Sequence, residues 1–160
     1  MISPSPKKSD PLQSILIDIN RQTLDLHHAG QLIATYQVSS SRFGLGSEEG
    51  SFRTPLGRFR VCEKFGDGSP PWMIFKGRLP TGKIAIPGGE HDHVLTRILW
   101  LDGLDEANHN TKDRYNYIHG TNQEDLIGSP ASHGCIRLKN LEMIDLYDRI
   151  EIGTEVHIRP

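Results

Sequence analysis

Residues 117–158, YIHGTNQEDLIGSPASHGCIRLKNLEMIDLYDRIEIGTEVHI, show the clearest succession of structural signals in the chain. An apolar run ends at His119, and an alternating run begins at Cys135 as CIRL, so two short strands are predicted around a polar loop. A helical pattern follows and ends at Gly153, after which EVHI is typical of a final strand. The segment therefore predicts strand, loop, strand, helix and strand.

The predicted helix begins where Asn140 offers a side chain suited to an N-cap. Glu142 and Asp145 follow in the early turns, where the helix dipole favours acidic groups. An apolar face is predicted from Leu141, Ile144 and Ile150, with Leu146 and Tyr147 nearby. We expect this helix to pack on a sheet through that face.

The residues before this segment favour β-structure. The runs SILIDI, TLDLHH and LIATYQVSS are separated by turn residues, which predicts an opening β-meander. RFRVCEKF at 58–65 alternates as a strand, TGKIAI at 81–86 predicts a short strand, and HVLTRILWLDGL at 93–104 fits a buried strand or a helix. One mainly β domain is expected over residues 13–160, and the Ser-, Pro- and Lys-rich residues 1–12 are expected to form a flexible tail.

Composition excludes several classes of function. The formal net charge is −2 and charged residues make up 24% of the chain, so a nucleic-acid-binding surface is not indicated. No apolar stretch is long enough for a membrane span or for a secretory signal. We therefore expect a cytoplasmic protein if the chain is full length, and a periplasmic one if a leader was removed.

Three other kinds of site are not supported by the sequence. The glycine loop GLGSEEGSFRTPLG at 44–57 lacks nucleotide-binding spacing and carries two acids that would repel phosphate. EHDH at 90–93 has metal-ligating side chains but no evident third ligand, so a solvated loop without metal is expected. Cys135 is not followed by arginine at the spacing of a cysteine phosphatase loop.

Cys135 lies in a polar glycine turn, which is unusual for a buried structural cysteine. A thiol needs a nearby base to act as a nucleophile, and both His133 and His119, sixteen residues upstream, are candidates. Gly134 allows a sharp turn whose N–H groups would bind an oxyanion, and Arg137 offers a planar fork for a carboxylate. Spacing alone leaves an incidental turn cysteine as the alternative.

These residues resemble the signature of the L,D-transpeptidase (YkuD-type) catalytic domains. The family pattern is a histidine, a variable loop, and Ser/Thr-His-Gly-Cys followed by a hydrophobic residue and Asn or Arg. Here it is matched by His119, a loop of twelve residues, and residues 132–137. RTPLGRFRV at 53–61 and the closing GTEVHI are similar to further family segments, whereas residues 82–110 have no clear match. The resemblance covers residues 14–160 and implies a β-sandwich with one packed helix near the C-terminus.

The resemblance also implies roles for the two reacting groups. Cys135 would be the nucleophile, and His119 would be the general base, oriented by the backbone carbonyl of Gly120. No metal and no cofactor are implied. Cys62 matches no family site and is expected to be a core thiol.

The turn around the cysteine is implied to bind the substrate. Backbone N–H groups of His133, Gly134 and Cys135 would form an oxyanion hole. Ser132 and His133 would shape the turn, and Arg137 would bind a substrate carboxylate.

The implied reaction is attack of the thiol on the L-to-D bond of a peptidoglycan tetrapeptide or muropeptide, with release of D-Ala and formation of a thioester. Transfer to an amine gives transpeptidation, and transfer to water gives L,D-carboxypeptidation in peptidoglycan recycling; the motifs suit both. Carbapenems, which acylate this class, are expected inhibitors. A non-catalytic muropeptide-binding module is the alternative, whereas a papain-like protease is disfavoured because its cysteine precedes its histidine.

Overall fold

The computed structural model describes residues 12–160, so the predicted tail lies outside the described residues except for its last position. The described chain is mainly β with one α-helix near the C-terminus, as predicted. The helix α1 spans Asn140–Arg149, and two short 3-10 helices span Glu106–Asn108 and Glu124–Leu126. The strands are β1 (Gln13–Asp18), β2 (Thr23–His28), β3 (Gln31–Gln37), β4 (Gly57–Phe65), β5 (Met73–Lys76), β6 (Leu79–Ile84), β7 (Val94–Gly103), β8 (Tyr117–Gly120), β9 (Ile136–Leu138) and β10 (Glu155–Arg159).

The strands within residues 12–160 form one mixed sheet. Its order is β3-β2-β1-β10-β4-β7, after which β7 pairs with β8 and β8 pairs with β9. The β5–β6 hairpin pairs with the first residues of β7. It lies on the same edge of β7 as β4, which pairs with the later residues of that strand. β1 and β10 are parallel, as are β8 and β9, and the other pairs are antiparallel.

Residues that follow β3 bring the two ends of this strand order together. The backbone of Ser39 exchanges two hydrogen bonds with Arg137 of β9, each with N···O of 3.0 Å. The carbonyl of Ser40 accepts hydrogen bonds from the N–H groups of Ala131 and Ser132 at 2.8 and 2.9 Å. The chain after β3 is therefore joined to both sides of the turn that carries the cysteine.

Strand β7 crosses the centre of the molecule. Residues 95–101 are buried without a break, which explains why the sequence lacked strand alternation and fitted a helix equally well. The pairing of β7 with β8 shifts register beside Thr96, whose φ of 76° is rare for a β-branched residue. The Thr96 hydroxyl donates to Oδ1 of Asn140 at 2.5 Å and accepts from the N–H of Trp72 at 3.0 Å, so the bulge is fixed by side-chain contacts.

The region between β4 and β7 differs from prediction. β5 was not predicted, because its four residues MIFK are too few to show alternation. β6 begins at Leu79, two residues before the predicted start, and its side chains are exposed. The two strands form a hairpin with a two-residue turn at Gly77 and Arg78.

The start of α1 is stabilised differently from the prediction. Asn140 is the first helical residue rather than the cap, and a carboxylate oxygen of Glu124 accepts its N–H at 2.7 Å. The Asn140 amide donates to the carbonyl of Thr121 at 2.7 Å. Asn140 thus ties the helix to the end of β8 and, through Thr96, to β7. In residues 12–160 no helix is long and apolar enough to cross a membrane.

The apolar face of α1 also differs from the prediction at one position. Leu141 is 71% exposed, so its assignment to the packed face was wrong. Ile144 is half-buried. The residues that enter the core from this segment are Met143, Leu146, Tyr147 and Ile150.

Leu146→Ala is expected to destabilise the fold by about 2–5 kcal/mol, because Leu146 is fully buried and its removal leaves a cavity between α1 and the sheet. Leu141→Ala on the same helix is the matched control and should change the free energy of unfolding by less than about 0.5 kcal/mol. Urea unfolding followed by circular dichroism measures both. Equal losses in the two variants would contradict the observed orientation of α1.

Candidate active site

Cys135 lies at the end of a tight turn that leads directly into β9. The Ser132 hydroxyl donates to the carbonyl of Cys135 at 2.6 Å and accepts the N–H of Gly134 at 3.2 Å. The Gly134 carbonyl accepts the Thr54 hydroxyl at 3.0 Å. Gly134 has φ of 122°, and a Cβ there would lie 3.4 Å from the Arg53 carbonyl oxygen, so glycine suits this position. Ser132 is buried, and its hydroxyl joins the two sides of the turn.

The Cys135 thiol lies in a half-buried position against β8. The Tyr117 N–H donates to Sγ at 3.3 Å, and Sγ lies 3.6 Å from the carbonyl oxygen of Tyr115. Burial raises the pKa of the Cys135 thiol to about 12, although the Tyr117 hydrogen bond opposes this shift. The thiol is therefore protonated at neutral pH.

His119 is buried on β8, and its backbone is paired in parallel register with Arg137. Its Nδ1 lies 2.6 Å from the carbonyl oxygen of Gly120, so Nδ1 carries the proton and donates to this oxygen. Burial lowers the pKa of His119, while the Asp92 charge and the Gly120 carbonyl oppose that shift. The imidazole is neutral at pH 7, and its Nε2 is left with a lone pair.

Arg137 does not occupy the position that the sequence implied. Its side chain has no solvent exposure. Its guanidinium donates to Asp92 at 3.0 Å, to Oε1 of Gln123 at 2.6 Å and to the Ser39 hydroxyl at 3.0 Å. The expectation that Arg137 binds a substrate carboxylate is therefore wrong for this conformation, because protein groups already bind its guanidinium.

Asp92 is the site residue that sequence reasoning missed. One of its carboxylate oxygens pairs with Arg137, and the other lies 3.2 Å from Nδ1 of His133. Burial opposes ionisation, but the neighbouring His119 and Arg137 and the hydrogen bonds hold the pKa of Asp92 below its ordinary value. The prediction of a solvated loop at 90–93 was thus wrong for Asp92. Its partners lie 41 and 45 positions away, so local spacing carried no signal.

The loop that carries Asp92 is fixed to the segment after His119. The Asn122 amide donates to the carbonyls of Gly88 and His91 at 2.7 and 2.8 Å, and its Oδ1 accepts the N–H of His93 at 3.1 Å. Because these bonds anchor both sides of Asp92, its carboxylate is held in place by the backbone. Within residues 12–160 no group of three or more His, Cys, Asp or Glu residues is arranged to hold a metal ion.

His133 is exposed and covers the outer side of the turn. Its ring lies 5.8 Å from that of Phe43 and 6.0 Å from that of Phe52, measured between centroids. A groove of about 310 Å³ runs beside it and is also lined by Phe52, Arg114, Tyr115 and Asn116. This groove therefore lies at the surface beside the cysteine turn.

The two cysteines are both free, and both pack against the same apolar cluster. Cys62 is half-buried, packs against the cluster of Phe75, Ile98, Trp100 and Tyr117, and lies 3.3 Å from the Trp100 carbonyl oxygen. Burial raises the pKa of its thiol as well.

Comparison with known families agrees with this architecture. Residues 13–158 match the YkuD family, the L,D-transpeptidase catalytic domain. Because this match covers most of the chain, the protein belongs to that family, as the sequence motif predicted.

Curated relatives carry the same family name. The Bacillus subtilis protein YqjB, named as an L,D-transpeptidase, is 41% identical over 105 residues, covering 66% of this chain and 51% of YqjB. The Bacillus licheniformis protein YkuD, also named as an L,D-transpeptidase, is 27% identical over 146 residues, covering 91% of this chain and 65% of YkuD. The chain thus matches between half and two thirds of these relatives' length.

Solved L,D-transpeptidase structures share the fold. A Mycobacterium smegmatis L,D-transpeptidase superimposes with a TM-score of 0.62 at 19% identity, covering 93% of this chain and 59% of that chain. L,D-transpeptidase 3 from Mycobacterium tuberculosis, in complex with a faropenem-derived adduct, gives 0.58 at 18% identity, covering 94% and 61%. At this level of identity the likeness supports the fold alone.

Asp92→Asn is expected to lower the free energy of unfolding by about 3–5 kcal/mol, because it leaves the buried Arg137 guanidinium without a counter-ion. Asp102→Asn is the matched control, since its partner Arg60 is largely exposed and such pairs contribute about 0–1 kcal/mol. Thermal and urea unfolding at pH 7 measure the difference. Equal stability of the two variants would show that the buried pair does not support the site.

Proposed function

We propose that this chain is a cysteine-dependent acyl-transfer enzyme that cleaves the L-to-D peptide bond of peptidoglycan tetrapeptide stems through a thioester on Cys135. The observation that carries the proposal is that the end of β8 lies beside β9, the strand that follows the cysteine turn. β8 presents a neutral imidazole whose Nδ1 is anchored, and the turn before β9 presents a thiol. Family membership supports transfer chemistry on peptidoglycan.

The protonation states favour proton transfer that accompanies attack, rather than a preformed ion pair. Nε2 of His119 accepts the thiol proton as Sγ of Cys135 bonds to the carbonyl carbon of the substrate. The resulting imidazolium, stabilised by the Asp92 charge, then gives this proton to the leaving nitrogen. The C–N bond breaks, D-Ala leaves as the amine, and the thioester remains.

The oxyanion formed during attack needs hydrogen-bond donors. The Gly134 N–H is engaged with Ser132, so the implied contribution of that group is revised. We assign oxyanion binding to the N–H groups of His133 and Cys135, which flank Gly134 on the same turn. Carbapenems would acylate the same thiol, in line with the neighbours solved with imipenem and with a faropenem-derived adduct.

The thioester is resolved by an acceptor, and two acceptors are compatible with the site. Water yields the tripeptide, which is L,D-carboxypeptidase activity and suits recycling in the cytoplasm. An amine yields a cross-link or an exchanged D-amino acid. Cross-links form in the sacculus, so that product would place the reaction in the periplasm.

Mass spectrometry of the protein with a disaccharide tetrapeptide, with and without excess D-Met, tests the activity and its acceptor. We expect loss of D-Ala in the wild type and in Cys62→Ala, and at least a 10⁴-fold slower loss in Cys135→Ala, because the nucleophile is absent. Tripeptide alone identifies hydrolysis, and D-Met incorporation or dimers identify transpeptidation. Full turnover by Cys135→Ala would overturn the proposal, and binding without turnover in the wild type would indicate a muropeptide-binding module.

The pH dependence tests the neutral-pair mechanism. Burial places the pKa of His119 below its ordinary 6.5, so kcat/KM should rise with pH through an acid limb centred below 6.5 and then stay level. Alkylation of Cys135 by iodoacetamide in Cys62→Ala protein should remain slow until strongly alkaline pH, because the thiol pKa is about 12. Rapid alkylation at pH 6 would instead indicate a stable thiolate–imidazolium pair.

A further inference from the structure

The turn of the β5–β6 hairpin holds a residue that its backbone does not favour. Gly77 and Arg78 form the two-residue turn and have φ of 57° and 65°, as in a type I′ turn. Glycine or asparagine adopts this conformation at low cost, whereas a long side chain in the left-handed region is uncommon. Arg78 therefore occupies a backbone conformation that glycine or asparagine would adopt more readily.

The Arg78 side chain lies across an aromatic surface. Its guanidinium carbon is 4.4 Å from the centroid of the Trp100 ring and 5.6 Å from that of Tyr115, and one of its amino groups donates to the Tyr117 hydroxyl at 3.1 Å. Lys112 brings a second cation to the same indole, with Nζ 5.0 Å from its centroid. These five residues are called the aromatic platform below.

The aromatic platform adjoins the thiol. The backbone N–H of Tyr117 donates to Sγ of Cys135, and Cys135 packs against the same cluster as Trp100 and Tyr117. The Trp100 and Tyr117 rings meet edge to face, with centroids 6.0 Å apart. A substrate bound at the thiol therefore has the platform within reach of its neighbouring residues.

The cations of the platform differ from the other arginines near the thiol. Arg137 is buried and paired with Asp92, and Arg114 donates to the carbonyls of Gly46 and Arg53. Within residues 12–160, neither Arg78 nor Lys112 has a carboxylate partner within 4.0 Å. Both remain able to bind an anion at a surface where aromatic rings exclude part of the water.

We infer that Arg78, with Lys112 beside it on Trp100, forms the carboxylate-binding subsite of the substrate, the role that Arg137 cannot fill. The inference rests on the proposed function. An arginine on an aromatic ring retains free N–H groups at its edge, and these bind a carboxylate through charge-assisted hydrogen bonds. Two substrate carboxylates have this chemistry: the C-terminal carboxylate of the leaving residue, and a side-chain carboxylate on the third residue.

The test uses steady-state kinetics with three tetrapeptides: the free acid with diaminopimelate at the third position, its C-terminal amide, and the analogue with lysine at the third position. Arg78→Gln should raise KM for the free acid about 10- to 100-fold with little change in kcat, as for the loss of a hydrogen bond to a charged group. Arg78→Gly should lose the same amount while the backbone keeps the turn, because glycine adopts a positive φ at low cost. Lys76→Gln, which removes an exposed charge at the end of β5 in the same hairpin, is the matched control.

The pair of substrates that Arg78→Gln no longer distinguishes shows which substrate carboxylate the subsite binds. If Arg78→Gln treats acid and amide alike, the subsite binds the terminal carboxylate; if it treats diaminopimelate and lysine alike, it binds the side chain. Equal changes in Arg78→Gln and Lys76→Gln with every substrate would overturn the inference and leave the proposed function intact.

A separate binding measurement distinguishes the failure of the proposed function. If the wild type cleaves no tetrapeptide, calorimetry of Cys135→Ala protein with the free acid decides the subsite alone. Binding weakened at least 10-fold by adding Arg78→Gln supports the subsite, and unchanged binding overturns it.

Discussion

The ion pair between Asp92 and Arg137 is the contact on which the geometry of the site depends. A guanidinium without solvent exposure is tolerated only where an anion and further acceptors surround it. Here those acceptors come from the loop before β7, the segment after β8 and the segment after β3. One side chain on β9 thereby fixes three segments that are distant in sequence around the turn that carries Cys135.

The electrostatics of the site reflect a balance in which burial outweighs the charges. Asp92 and the Gly120 carbonyl act to raise the pKa of His119, yet burial still lowers it. Burial also dominates at Cys135, where the Tyr117 N–H and two arginines oppose it. Both groups are therefore neutral in the free protein, and under the proposed function charge separation would develop only as Sγ attacks a substrate carbonyl.

Much of the architecture was predictable from local signals, and the differences have physical causes. The cysteine turn was predictable because Gly134 and its polar neighbours mark a turn locally, and the bond between Gly134 and Ser132 lies within that turn. The helix was predicted, but its buried face follows the sheet it packs on, so Leu141 was misassigned while Met143 was overlooked. Asp92 and the true environment of Arg137 could not be found, because a buried ion pair across 45 positions leaves no periodicity in the sequence. The roles of the site residues, taken from the resemblance, stay predictions.

The joining of β9 to the residues after β3 bears on how the chain reaches its native state. Ser39 and Arg137 are separated by 98 positions, and contacts of such separation form slowly because a long loop must close first. Local hairpins such as β1–β2 can form well before this step. Since the same contact anchors the cysteine turn, the thiol gains its oriented surroundings only after this long-range contact has formed. In a partly folded chain, Cys135 would therefore lack the hydrogen bonds and neighbouring groups that surround it in the native structure.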